Sequence, residues 1–194
     1  PGHREIQREP HVRNDEGTNL IAPSSIEIVR YYFPDTLGTY ANGQDYINLI
    51  TEKEKEIVRT LFDIFAGLSG YEFVETSETV PGLDELMIGK GDFRAVSPSL
   101  GPNDGVAGLA NSTFAILNGT LFNQSNRFFG DGFTETMMHE IAHSLGLGHS
   151  YDIPSLQGAP LPNDVLPGDH DIVQLQRVSP PNATDIDLYK FAVA

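Results

Sequence analysis

The sequence of 194 residues lacks cysteine, and it holds only 12 lysine or arginine residues against 27 aspartate or glutamate residues. Without cysteine it can form neither a disulfide nor a thiolate metal site, although this absence does not decide the compartment. The formal charge of −15 argues against nucleic acid and anionic membrane surfaces as partners, because like charges repel. No apolar run approaches 18 residues, so we expect no membrane insertion.

Three of the six histidines fall within eleven residues that read HExxHxxGxxH. His139 and His143 are four residues apart, so on a helix both rings face the same way and can reach one cation. Gly146 can adopt a left-handed conformation at the end of that helix and return His149 toward the same ion. The spacing predicts a three-histidine zinc site with one position left for water.

Glu140 directly follows the first of these histidines. In such a helix its expected role is to hold and deprotonate a metal-bound water as a general base, not to bind the ion. Five fixed identities in an eleven-residue window arise by chance on the order of once in 10⁴ to 10⁵ chains, so accidental histidines are a poor explanation. A metal site that has lost its activity stays open as an alternative.

The motif, together with the HSYD run at 149–152, resembles that of the metzincin zinc endopeptidases, in particular the matrixin-like and serralysin-like enzymes. The resemblance implies one catalytic Zn²⁺ and hydrolysis of protein or peptide substrates, with Glu140 as the general base. One alternative is a catalytically degenerate metzincin that binds peptides or another protein. Another is non-proteolytic hydrolysis or a structural metal site, and the retained Glu140 speaks against a purely structural role.

The family places a methionine beneath the metal, and here this sequence departs from the family. All of its methionines precede the third motif histidine: Met87, Met137 and Met138. Counting without gaps puts Gln157 at the methionine position, whereas an insertion would put Leu166 there. The methionine forms a floor and is not a ligand, so its absence argues against a typical family member more than against zinc.

The order of elements indicates the fold class. Ser25 to Phe33 is rich in β-branched and aromatic residues and predicts a strand, after which turn-rich residues run through Gly43. Apolar spacing from Asp45 to Leu68 predicts a long helix, and two short strands follow at 71–76 and 85–88. Strand, helix and strand indicate a βαβ unit with a parallel sheet.

The resemblance then implies an α+β, zincin-like fold with a mixed twisted sheet of about five strands backed by the long helix. The active-site helix and a C-terminal helix, predicted over 169–178, would belong to a small lower lobe. His170 lies in that C-terminal helix, and we expect it to be structural or exposed and not a fourth ligand.

GVAGLA, at 105–110, resembles the edge strand that holds substrate in matrixins, and a last strand is predicted at 112–117. The resemblance implies that Gly108, Leu109 and Ala110 bind an extended peptide through backbone hydrogen bonds, because an edge strand offers unpaired amides and carbonyls. An ordinary edge strand or loop is the alternative.

The sequence also bears on a calcium site and on a second zinc site. Asn103 and Asp104 lie in a turn-rich loop and could supply oxygen ligands to Ca²⁺, although turn formers without metal are the alternative. Matrixins place additional histidines around a second, structural zinc, whereas no histidine occurs here between His11 and His139. We therefore expect no second zinc site.

Both ends of the sequence are expected to lie outside the catalytic domain. Residues 1–24 are polar and aperiodic and predict a flexible leader or a pro-segment remnant. The metzincin-like catalytic domain is expected at 25–178, and 179–194 is expected to be a linker and the start of a following β domain. The resemblance implies a monomeric, secreted or extracellular bacterial protein, and because no signal-peptide pattern opens the sequence, a signal would precede it.

Overall fold

The computed structural model describes residues 27–77, 85–149, 155–158 and 166–179. The expected leader at 1–24 and nearly all of the expected linker and β domain at 179–194 lie outside these ranges, so they stay predictions. Within the described ranges, no helix has both the length and the apolar composition needed to cross a membrane.

The described residues form an α+β fold around one mixed sheet. In chain order the elements are β1 (Glu27–Tyr32), β2 (Thr36–Thr39), β3 (Asp45–Ile47), α1 (Glu52–Leu68), β4 (Tyr71–Glu75), β5 (Glu85–Gly91), a 3₁₀ turn (Phe93–Ala95), β6 (Gly108–Asn111), β7 (Phe114–Asn118), α2 (Gly132–Ser144) and α3 (Asp169–Val178). Five strands are ordered β4-β1-β5-β7-β6, and only β6 runs antiparallel to its neighbour. The predicted α+β class, the mixed five-stranded sheet and the parallel βαβ unit are confirmed.

The long helix begins later than the sequence predicted. Residues 45–47 form β3, which pairs with β2 as a separate two-stranded sheet, and both strands lie where only turns and the helix start were expected. The helix start is fixed by Thr51, whose hydroxyl accepts a hydrogen bond from the Glu54 amide at 3.3 Å. The Glu54 carboxylate in turn accepts from the Thr51 amide at 2.8 Å, which completes a capping box.

One hydrophobic core joins the large sheet to all three helices. The buried face of α1 repeats every three or four residues, which is the helical period that the sequence showed. The Phe62 ring of this face lies 4.1 Å, centroid to centroid, from the Tyr31 ring on β1. From α2, the core receives Phe133, Met137, Met138, Ile141 and Ala142, so the histidine helix is held by burial of its opposite side.

A buried ion network joins α1 to the residues that begin α2. Both oxygens of the fully buried Glu54 carboxylate lie 2.6 Å from the Lys90 ammonium nitrogen. One of them, Oε1, also lies 3.0 Å from Nε of Arg127. Arg127 also contacts Asp131 at 3.2 Å, and Asp131 caps α2 by accepting a hydrogen bond from the Thr134 amide at 3.0 Å. The start of the histidine helix is therefore tied to the start of the long helix.

We expect Glu54→Gln to lower the free energy of unfolding by roughly 3 kcal/mol, because it leaves Lys90 and Arg127 buried with an incomplete countercharge. Urea denaturation measures this change. The matched control is Glu56→Gln on the same helix, since the Glu56 side chain is 66% exposed and contacts Lys53 only at 3.8 Å. Equal unfolding midpoints for the two variants would contradict a structural role for the network.

Candidate metal centre

Helix α2 and the turn after it bring the three motif histidines together. His139 and His143 lie on successive turns of α2, which ends at Ser144. Gly146 then adopts φ +97°, and its amide donates to the His143 carbonyl at 3.0 Å. This left-handed glycine closes the helix and returns the chain so that His149 faces the other two rings.

The three rings converge through their Nε2 atoms. Nε2 of His143 lies 3.0 Å from Nε2 of His139 and 3.2 Å from Nε2 of His149, and the three candidate ligand atoms lie within 4.8 Å of one another. Imidazole nitrogens about 2.0 to 2.1 Å from one tetrahedral zinc lie roughly 3.3 Å apart. The cluster therefore has the spacing and the donor type that zinc requires.

Backbone carbonyls fix the tautomer of two of the rings. Nδ1 of His139 lies 2.7 Å from the Leu156 carbonyl, and Nδ1 of His143 lies 2.7 Å from the Leu147 carbonyl. A carbonyl oxygen only accepts, so each Nδ1 carries the proton and each Nε2 presents its lone pair to the cluster. Burial lowers the pKa of His139, and the hydrogen bond to Leu156 opposes that shift only in part, so the ring is held in the neutral form that metal binding needs.

A short turn at residues 155–158 holds His139 from two sides. The Leu156 carbonyl of this turn accepts a hydrogen bond from Nδ1 of the His139 ring, while Nε2 of Gln157 donates a hydrogen bond to the His139 backbone carbonyl at 2.7 Å. The turn is anchored in its own place by Asp171 of α3, whose Oδ2 accepts from the Leu156 amide at 2.8 Å. The sequence placed Gln157 at the methionine position but did not foresee either bond, because both join residues far apart in the chain.

Gln157 and the alternative position, Leu166, differ in burial. Gln157 is 1% exposed, whereas Leu166 is 51% exposed and forms no buried floor. Gln157 thus supplies a polar, hydrogen-bonded contact to the histidine helix.

Glu140 is buried at the junction between α2 and the edge strand β6. A Cβ atom built on Gly108 would lie 2.3 Å from Oε1 of Glu140 and 2.5 Å from its Cγ, so only glycine leaves room for this side chain. Gly108, Leu109 and Ala110 all belong to β6, which lies at one edge of the sheet. The family resemblance assigned Gly108 to the binding of a peptide, and in the structure the same glycine also leaves the space that the Glu140 side chain occupies.

A pocket of about 510 Å³ adjoins the histidine cluster. It lies between α2, β6 and the turn at 155–158. Its walls include Gly108, Phe122, Glu135, Thr136, His139 and Leu156. The sequence did not single out Glu135, although its place one helical turn before His139 on the same face was a usable signal.

The other candidate ligands lie apart from this centre. Among the described residues, only His139, His143 and His149 form a group of three or more side chains able to hold one metal ion. His170 is buried on α3 and is not part of the group. Asn103 and Asp104 are exposed, and Asp104 accepts a hydrogen bond from the Gly101 amide at 2.6 Å, as a turn former does. Calcium binding stays a prediction.

A mixed sheet whose edge strand borders a helix with converging histidines defines a zincin-like arrangement of the kind found in matrix metalloproteases. Over 133 residues the chain is 30% identical to interstitial collagenase from Sus scrofa, and over 123 residues it is 28% identical to interstitial collagenase from Oryctolagus cuniculus. These matches cover 66% and 60% of the chain but 27% and 25% of the collagenases, so the chain spans about a quarter of their length. No family model matches the chain. The fold and these similarities support a matrixin-like relationship.

We expect His143→Ala to lower the affinity for zinc by more than about 100-fold, because it removes one of three nitrogens from the cluster. Competition with a chromogenic chelator measures the affinity, and elemental analysis gives the stoichiometry. His170→Gln is the matched control and should keep one zinc per chain. Loss of zinc from the His170 variant and not from the His143 variant would show that the metal is bound outside the three-histidine cluster.

We expect Gln157→Leu to weaken zinc binding about tenfold, since the His139 backbone loses its hydrogen-bond donor and the ring is less well oriented. The control is Gln174→Leu on α3. Gln174 is also fully buried, but neither of its amide atoms has a hydrogen-bond partner among the described residues, so its replacement should leave zinc affinity unchanged. Equal zinc affinities for the two variants would contradict the orienting role of Gln157.

Proposed function

We propose that the chain is a zinc-dependent endopeptidase in which His139, His143 and His149 bind the metal and Glu140 is the general base. The observation that carries this proposal is the convergence of three Nε2 atoms beside a buried glutamate that packs on an edge strand. A purely structural zinc site needs neither an edge strand nor a neighbouring base. The similarity to interstitial collagenases supports the same class.

Strand β6 is the element that we propose to hold the substrate. Within the described part of the chain its outer edge pairs with no other strand, so a peptide can add there through backbone hydrogen bonds. Leu109 and Ala110 continue the strand from Gly108, where the Glu140 carboxylate lies. A peptide bound along β6 therefore passes directly in front of the general base.

The chemistry divides between the metal and this chain. Zinc, when bound, polarises the scissile carbonyl and makes the attacking water more acidic. Glu140 accepts a proton from that water as the new carbon–oxygen bond forms, and it delivers the proton to the departing amine as the carbon–nitrogen bond breaks. The Glu140 side chain occupies the space that a Cβ atom on Gly108 would fill, and the carbonyls of Leu156 and Leu147 hold His139 and His143 in orientation.

The same proposal includes a secreted, monomeric protein whose catalytic domain occupies residues 25–178. A second function, peptide binding without hydrolysis, is favoured by one observation. Gln157 puts a buried amide where the related enzymes have a methionine, and its Oε1 has no hydrogen-bond partner among the described residues. A changed contact to the backbone of the histidine helix would account for lost activity.

We expect Glu140→Ala to keep one zinc per chain and to lower peptide cleavage by at least about 1,000-fold, because the proton acceptor is lost while the ligands remain. Turnover of a mixed fluorogenic peptide library and zinc analysis measure the two properties. Removal of zinc by a chelator should abolish cleavage by the unaltered chain, and added zinc should restore it. Turnover preserved in the Glu140 variant would refute its role, and a zinc-loaded chain that binds peptides without cutting them would establish the second function.

A further inference from the structure

Among the described residues, the wall of the pocket beside the histidine cluster holds one charged side chain besides Glu140. Gly132, Glu135, Thr136 and His139 line it from one face of α2, with the spacing of successive helical turns. Glu135 precedes His139 by one turn, about 6 Å along the helix axis. Glu135 and His139 therefore line the same pocket from the same face of α2.

The Glu135 carboxylate is available to a ligand. The side chain is exposed, and no hydrogen bond or salt bridge within the described part of the chain engages its carboxylate. The sequence contains no lysine or arginine between Arg127 and Arg177. Arg127 lies over the Phe122 ring of the pocket wall at 5.6 Å, but it is already paired with Glu54 and Asp131. Phe122 and Leu156 supply apolar parts of the pocket wall.

We propose that this pocket selects a lysine or arginine side chain next to the scissile bond, and that Glu135 is the residue that recognises its charge. The inference rests on the proposed endopeptidase function. The aliphatic stem of the substrate side chain packs on Phe122 and Leu156, while its charged end reaches Glu135. A leucine at the same position would leave the Glu135 carboxylate without a partner.

Local recognition by Glu135 has to be separated from attraction by the whole protein, because the formal charge of −15 draws any cationic peptide. Two peptides of identical composition make this separation. One carries arginine next to the scissile bond and leucine at a distant position, and the other exchanges them. Their net charges are equal, so long-range attraction is the same for both.

A library randomised on both sides of the scissile bond first finds the side on which lysine or arginine is preferred, and kcat/KM is then measured for the exchanged pair. We expect the peptide with adjacent arginine to be cleaved about tenfold more efficiently. Glu135→Gln should reduce this ratio to about two, and Glu135→Lys should shift the preference to aspartate or glutamate. The control is Glu72→Gln, an exposed carboxylate on β4 at the opposite edge of the sheet, which should leave the ratio unchanged.

Peptide binding to the metal-free chain, followed by fluorescence anisotropy, separates failure of this inference from failure of the proposed function. Cleavage with no preference for lysine or arginine, or an unchanged ratio in Glu135→Gln, would overturn the role of Glu135 and leave the endopeptidase intact. Absence of cleavage with a Glu135-dependent binding preference would overturn the endopeptidase and retain the pocket.

Discussion

The geometry of the candidate site depends on two hydrogen bonds from imidazole rings to backbone carbonyls. The carbonyls of Leu156 and Leu147 accept hydrogen bonds from Nδ1 of His139 and His143, so both Nε2 lone pairs point into the same small volume. Converging lone pairs repel one another, and a cation bound between them offsets this repulsion because each lone pair is attracted to the positive charge. The backbone around α2 therefore determines both which atoms of the rings can bind metal and which charge the site accepts.

The rest of the described fold keeps that arrangement in place from three directions. Buried apolar residues hold the opposite face of α2 against the sheet, and Asp131 fixes its first turn through Arg127 and Glu54. Asp171 anchors the turn that contacts His139. A buried ion network is costly to desolvate, so a well-packed hydrophobic replacement of similar shape is often as stable, whereas removal of one partner leaves a buried charge without compensation.

Local patterns predicted much of the fold and the core of the site, because helical spacing alone places His139 and His143 together and glycine alone closes the helix before His149. The prediction was wrong at the start of α1, because the apolar residues of β3 continue the helical period of the sequence. The helix itself begins only after the Thr51 capping box. Contacts between distant segments could not be predicted, among them Gly108 with Glu140 and Asp171 with Leu156. Such contacts depend on how elements pack and leave no periodic signal.

The link from Glu54 through Arg127 has a consequence for any attempt to graft the histidine helix onto another scaffold. A fragment spanning 127–149 retains every imidazole of the cluster, but it leaves Arg127 without the Glu54 carboxylate and His139 without the Leu156 carbonyl. A transplant would have to bring the first turn of α1 and the segment around Leu156 along with the helix. The site is thus a property of the assembled domain, even though its three ligands fall within eleven consecutive positions.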